Sequence, residues 1–256
     1  MKLTCIVFIT YCFLLFTSCA KLPYYQVYKV IPSETLTQKE NSLVFEDSSC
    51  KVYYNLYEEG GNAGFRFYNK TTKNIYLNLG ESFFIMNGHA NNYYMHRTIT
   101  NTKSIGVSSS QSTYYYQPYS YGIGSASGSS TSYEEESIVC IPPLSFKKVY
   151  EYKINTSVIQ DCDLDPSPSK KKIKNKSYIK SNSPFVFTNM ISYSTGKTDE
   201  PIRIVNEFYI SEMTNYPQSA AFETIYPEKC GHKSSVAWQQ FKFNKADQFF
   251  VKYFEK

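Results

Sequence analysis

The chain has 256 residues, with 27 lysines and arginines against 22 acidic residues and a net charge of +5. The surplus is local: without Lys2 and the six lysines Lys170, Lys171, Lys172, Lys174, Lys176 and Lys180 the remainder sums to −2, which excludes a basic field spread over the surface and hence a nucleic-acid partner. Aromatics make up 17% of the chain, as 25 Tyr and 18 Phe against one Trp, a composition that favours half-buried strands over helices.

Lys2 and the uncharged run LTCIVFITYCFLLF at 3–16 read as the positive start and apolar core of an export signal. About 14 residues at 1.5 Å rise reach roughly 21 Å, short of the roughly 30 Å hydrocarbon core, so the run does not serve as a permanent span. Phe16-Thr17-Ser18-Cys19 follows, and small residues ending in cysteine at that distance resemble the lipobox of bacterial lipoproteins. The resemblance implies cleavage after residue 18, a lipid carried on the Cys19 sulfur, and a mature chain of 238 residues. Cys5 and Cys12 fall in the discarded leader. Ala20 in place of Asp, and the absence of an acidic run in Ala20-Lys21-Leu22-Pro23, point by known sorting rules to the outer membrane and its periplasmic face. Residues 19–42 are expected to form the anchor and an N-terminal segment, and 43–256 one β-rich domain.

From Cys50 the pattern has period two, the mark of half-buried strands. Val52, Tyr54 and Leu56 share a face; after a turn at 58–62, Phe65 and Phe67 alternate with Arg66 and Tyr68. Ile75, Leu77 and Leu79 form the next strand, Gly80-Glu81 a break, and 82–86 another strand. Asn87-Gly88 is a type I′ hairpin signal, with a return strand expected near 91–99.

Residues 101–132 are rich in Ser, Gly and Tyr and read as a long insertion in a hairpin, too poor in aliphatics to order itself as a core. Its Tyr114, Tyr115, Tyr116, Tyr119 and Tyr121 have the composition of an adaptable binding loop; a disordered segment with incidental tyrosines shares it. Strands resume at 137–141, end at Pro142-Pro143, and continue at 146–154. The lysine-rich 163–183 reads as a solvated loop; contact with anionic lipid headgroups near the anchor is the sharper alternative. Strands follow at 184–193 and 202–210, with Ile202, Ile204, Phe208 and Ile210 in phase. A single helix is expected at 217–226 and a last strand at 248–253. About ten short strands and at most one short helix predict an all-β fold, a sandwich or an open barrel.

The stretches FYNKTTKNIYLNLGESFFIMNG (67–88), IVCIPP (138–143), Asp161-Cys162-Asp163-Leu164 and NEFYISEMTNYP (206–217) resemble a group of uncharacterised lipoproteins of Bacteroidota type. The resemblance implies a shared fold and export and no particular activity.

Four cysteines remain after the anchor. In an oxidising compartment Cys50, Cys140, Cys162 and Cys230 permit two disulfides in three connectivities; Cys162 with Cys230 is the favoured pair, because both lie in polar surroundings. Cys140 shares a strand face with Ile138, which allows instead a buried free thiol. No spacing resembles a zinc site or a redox pair, and His89 and His96 stand too far apart on one strand to share a metal. Cys230 beside His232 lacks an orienting carboxylate. No nucleophile elbow, zincin, P-loop or dinucleotide motif occurs, and Glu58-Glu59 and Glu134-Glu135-Glu136 fall in turns. The reading is a membrane-anchored, non-catalytic binding or structural module of the envelope, without cofactor or metal, whose partner is an envelope protein or glycan. The alternative is an anchored glycan hydrolase whose carboxylates the fold brings together.

Overall fold

A computed structural model describes residues 21–105 and 127–255. It is all-β: strands make up 51% and an eight-stranded sheet curls into a half-barrel packed on a sandwich-like second sheet. The half-barrel runs in the order β10 (Ile138–Ile141), β6 (Ile75–Met86), β13 (Val186–Ser194), β14 (Ile202–Pro217), β1 (Tyr24–Pro32) and β19 (Gln248–Tyr253). The short β7 (His89–Asn92) and β12 (Asn175–Ser177) join it beside β6 and β14. The second sheet runs β11 (Phe146–Val149), β5 (Phe65–Asn69), β4 (Cys50–Tyr54), β3 (Ser42–Glu46) and β2 (Thr37–Lys39). All of these pairings are antiparallel.

The core forms where period-two faces of the two sheets meet. Val52, Tyr54, Phe65 and Phe67 point inward from the second sheet, and Phe187, Ile191, Ile204 and Phe208 from the half-barrel, all at most 3% exposed. Phe67 packs on Tyr193 and Tyr54 on Phe208, with ring centroids 5.2 and 5.3 Å apart. Two asparagines occupy inward positions beside these rings. The Tyr54 hydroxyl donates to Asn206 Oδ1 at 2.8 Å; the Tyr93 hydroxyl donates to Asn189 Oδ1, while Asn189 Nδ2 donates to the Ala63 carbonyl at 3.0 Å. Fully buried amides persist here because each has a partner across the sheet interface, and those bonds hold the sheets in one register.

Several expectations are corrected. The domain starts at Tyr24, not at 43: β1 lies between β14 and β19, inside the half-barrel, with every residue from Tyr25 to Val30 buried except Lys29. The break at Gly80-Glu81 is an irregularity within one continuous β6, matched by a register shift opposite Met190 and Ser192. The Asn87-Gly88 turn forms with both residues at positive φ, 46° and 87°, but its return strand is β7, ending at Asn92 rather than 99. Strand 146–154 stops at Val149. The helix expected over 217–226 is one turn, α1 (Gln218–Ala221). Phe222 leaves it because β15 (Phe222–Ile225) pairs with β18 (Trp238–Phe241) and packs its ring on Tyr25 and Phe241; β-branched and aromatic residues there outweigh a weak helical pattern. The hairpin β16 (Glu228–Lys229) and β17 (His232–Lys233) and the ladder of β8 (Thr98–Ile105) with β9 (Ser127–Glu134) complete the nineteen described strands, more than the ten expected because many are two to four residues long. The 101–132 insertion thus begins and ends in a regular hairpin. Among the described residues no helix is long and apolar enough to cross a membrane.

Candidate binding face

Because Val52, Tyr54, Phe65 and Phe67 point inward, Lys51, Tyr53, Arg66 and Tyr68 point outward from the second sheet. Register then aligns them across three strands: Lys51 with Tyr68 and Phe146, and Tyr53 with Arg66 and Lys148. The Arg66 guanidinium lies 4.3 Å from the Tyr53 ring centroid and 5.5 Å from that of Phe146, between two aromatic rings from neighbouring strands. No described carboxylate lies within ion-pair distance of it, so its fork of N–H donors is free to face solvent. Phe146 and Tyr150 are 53% and 54% exposed. A groove of about 200 Å³ runs beside the guanidinium, lined by Asn55, Asn62, Lys148 and Tyr150 among others. At the far edge of the face Lys70, helped by Lys39 and Lys51, holds the Glu46 carboxyl down at about 2, so that acid is matched by its own lysines.

Gly64 sets the floor of this groove. A Cβ there would lie 2.3 Å from the Val149 carbonyl oxygen and 2.7 Å from the Tyr150 ring, so only bare backbone lets the segment after β11 cross so closely. Gly64→Ala is expected to cost about 1–3 kcal/mol through overpacking and to displace Tyr150. Thermal unfolding checks the first, and a structure of the variant the second; an unchanged Tm would mean the crossing is looser than described.

A second cluster brings carboxylates together. Arg97 donates through Nη1 and Nη2 to the two oxygens of Glu151, at 2.7 and 2.8 Å, and through Nη2 to Glu135 at 2.6 Å. The Met95 and Arg97 amides also donate to Glu135. Burial acts to raise the Glu135 carboxyl, but these hydrogen bonds outweigh it and hold the carboxyl below its usual range. The cleft, about 350 Å³, is lined further by Lys147 and Lys148. Two carboxylates locked on one guanidinium form a structural clamp joining the base of the β8–β9 hairpin to the segment after β11.

The other expected site residues are dispersed. All four described cysteines are free, so the Cys162–Cys230 pair is not formed. Cys50 is buried, facing the core from β4, and burial pushes its thiol well above the ordinary range. Cys140 shares a face with Ile138 as expected, but that face is the solvent side of an edge strand, with Ile138 51% exposed. Cys162 sits in the turn that Asp161 and Asp163 fasten to Lys176. Cys230 caps the remote β16–β17 turn at φ 54°. Cys19 and the tyrosines Tyr114, Tyr115, Tyr116, Tyr119 and Tyr121 lie outside the described residues. Of the six lysines in the 163–183 segment, Lys176 and Lys180 are ion-paired to Asp161, Asp163 and Glu207. The residues of the binding face were missed as a site: the outward phase of Tyr53, Arg66 and Tyr68 is a legible signal, but their alignment with Phe146 and Tyr150 depends on strand order.

Fold and face together define an all-β protein in which a curled half-barrel backs a second sheet carrying an aromatic and cationic outer surface. No family model matches the chain, no curated protein matches its sequence, and no solved structure matches its fold.

Proposed function

We propose that the protein is a lipid-anchored, non-catalytic binding module of the bacterial envelope, and that it takes an acid-bearing envelope glycan on the outer face of the second sheet. The observation that carries the reading is the unpaired Arg66 guanidinium held between Tyr53 and Phe146. Exposed rings offer flat apolar surfaces for sugar rings, and a guanidinium already ordered by stacking receives a carboxylate in two parallel hydrogen bonds at little further entropic cost. Lys148 adds a second positive charge beside the groove. The export and anchoring parts of the reading rest on Lys2, the 3–16 run and Phe16-Thr17-Ser18-Cys19. The hydrolase alternative draws no support from the Arg97 clamp: glycoside hydrolysis calls for a general acid whose proton affinity is raised, and Glu135 is shifted the other way.

Titration calorimetry with oligosaccharides that contain or lack uronic acids tests the proposal. Acidic chains are expected to bind more tightly. Arg66→Ala should weaken that binding about 10- to 100-fold, the equivalent of a hydrogen-bonded charge worth roughly 1.5–3 kcal/mol, and Arg66→Lys should recover only part of it because an ammonium lacks the planar fork. Equal affinity for neutral and acidic chains, or an Arg66→Ala variant that binds like wild type, would overturn the assignment of this face.

A further inference from the structure

The described chain enters the fold at one end of the half-barrel. Tyr24, the first residue of β1, pairs with Pro217 at the end of β14 and with Tyr253 at the end of β19, and its ring stacks on Tyr253 with centroids 5.7 Å apart. Lys21 Nζ donates to the Glu255 carbonyl at 3.2 Å. Cys19 stands two residues earlier, within roughly 7 Å of Lys21 even in a fully extended chain.

The lysine-rich segment is fastened to the same end. The Tyr253 hydroxyl donates to the Pro166 carbonyl at 2.8 Å, and Asn215 Nδ2 to that of Asp165 at 2.9 Å; β12 then pairs with Glu212 to Thr214 of β14. Leu22 and Lys170 line one depression of about 530 Å³ together with Phe222, Glu223 and Lys242. Lys172 closes the next turn through its amide to the Ser169 carbonyl at 2.9 Å, and Lys174 directly precedes β12. Lys170, Lys171, Lys172 and Lys174 are exposed and, unlike Lys176 and Lys180, have no ion-pair partner among the described residues. Lys252 lies 5.5 Å from the ring of Phe254, which is 52% exposed, and Leu22 is 69% exposed. Against these lysines stand the acids Asp165, Glu223 and Glu255, and Glu59 acts on Tyr25 of β1.

We propose that this end of the half-barrel rests on an anionic phospholipid surface, with Leu22 and Phe254 at headgroup depth and Lys170, Lys171, Lys172 and Lys174 on the phosphates. The proposal rests on the anchor reading, which brings the membrane to this end; Lys170, which lines one depression with Leu22, then stands nearest the surface, whose potential acts over roughly 8–10 Å at physiological salt. Two exposed apolar side chains, Leu22 beside Lys170 and Phe254 beside Lys252, suit an interface with an apolar edge and a negative top. The contact fixes how the domain is seated on the membrane.

The test uses the lipidated wild-type protein reconstituted into vesicles of phosphatidylcholine alone or mixed with phosphatidylglycerol. Flotation reports the anchor, and amine acetylation read by peptide mass spectrometry reports the face. Lys73 is the internal control: it lies next to β6 at the end of the sheet where Tyr76 faces Ser194 and Ser192 faces Arg203, opposite Pro217. In anionic vesicles acetylation of Lys170, Lys171, Lys172 and Lys174 should slow about fivefold relative to Lys73, and in neutral vesicles it should not. The variant Lys170→Gln, Lys171→Gln, Lys172→Gln, Lys174→Gln should float as well as wild type and lose the lipid-charge dependence of acetylation at Lys21 and Lys252. Flotation on both vesicles with no selective protection overturns the docking face and leaves the anchor. Failure to float on neutral vesicles overturns the anchor reading and, with it, this proposal.

Discussion

Replacing Cys19 by serine is expected to release the protein from membranes while leaving its β fold intact. A thioether needs sulfur, so the variant carries no diacylglyceryl group. Each buried methylene contributes about 0.8 kcal/mol, and the chains of a lipoprotein together exceed by far the marginal binding of a single myristoyl chain. Cells fed a fatty-acid probe should label the wild type and not Cys19→Ser, and the variant should leave the membrane fraction or stall with its leader attached. What binding remains should be the salt-sensitive contribution of the lysine face, largely screened at high ionic strength. Label on Cys19→Ser equal to that on wild type, or none on wild type, would return the protein to the class of unanchored secreted domains.

The largest loss of stability is expected from Phe208→Ala. Phe208 is fully buried in the middle of β14, its ring stacked on Phe187 with centroids 5.0 Å apart and packed edge-on against Tyr54 at 5.3 Å. It therefore joins the half-barrel to the second sheet through one of the aromatic contacts between them. Truncation removes the transfer energy of the ring and leaves a cavity that two rigid sheets close only in part, a cost of about 3–5 kcal/mol. For a domain of this size that corresponds to a fall in Tm on the order of 10 °C. Ile202→Ala on the same strand is the comparison: its side chain is 42% exposed and should cost about 0.5 kcal/mol or less. Equal Tm values for the two variants would falsify the placement of the inter-sheet core.

The contrast between Phe208 and Ile202 also marks how far alternation carries. Ile202, Ile204, Phe208 and Ile210 share a phase, yet Ile202 sits at the end of its strand beyond the reach of the second sheet, while Asn206, in the same phase, is wholly buried. Phase says which way a side chain points and nothing about what stands opposite. The same limit governs Cys140 and Ile138, whose shared phase allowed a buried thiol and which lie on the solvent side of an edge strand, and Phe222, whose helical context gave way to pairing with β18.

The amino-acid order by itself determined the all-β class, most inward faces, the Asn87-Gly88 turn and the last strand, Gln248–Tyr253, because these follow from period-two alternation and local backbone preference, which neighbouring residues decide. The export and anchoring reading of Lys2, the 3–16 run and Cys19 likewise rests on linear order alone, since a leader is read as a linear string. The tertiary structure alone decided that β1 lies inside the half-barrel, that Tyr53, Arg66 and Phe146 meet on one face, that Arg97 binds Glu135 and Glu151, and that Lys170 stands beside Leu22. Each of these joins residues through strand order and register, set by the packing of whole sheets, and no local pattern encodes a contact between residues 80 or 148 positions apart.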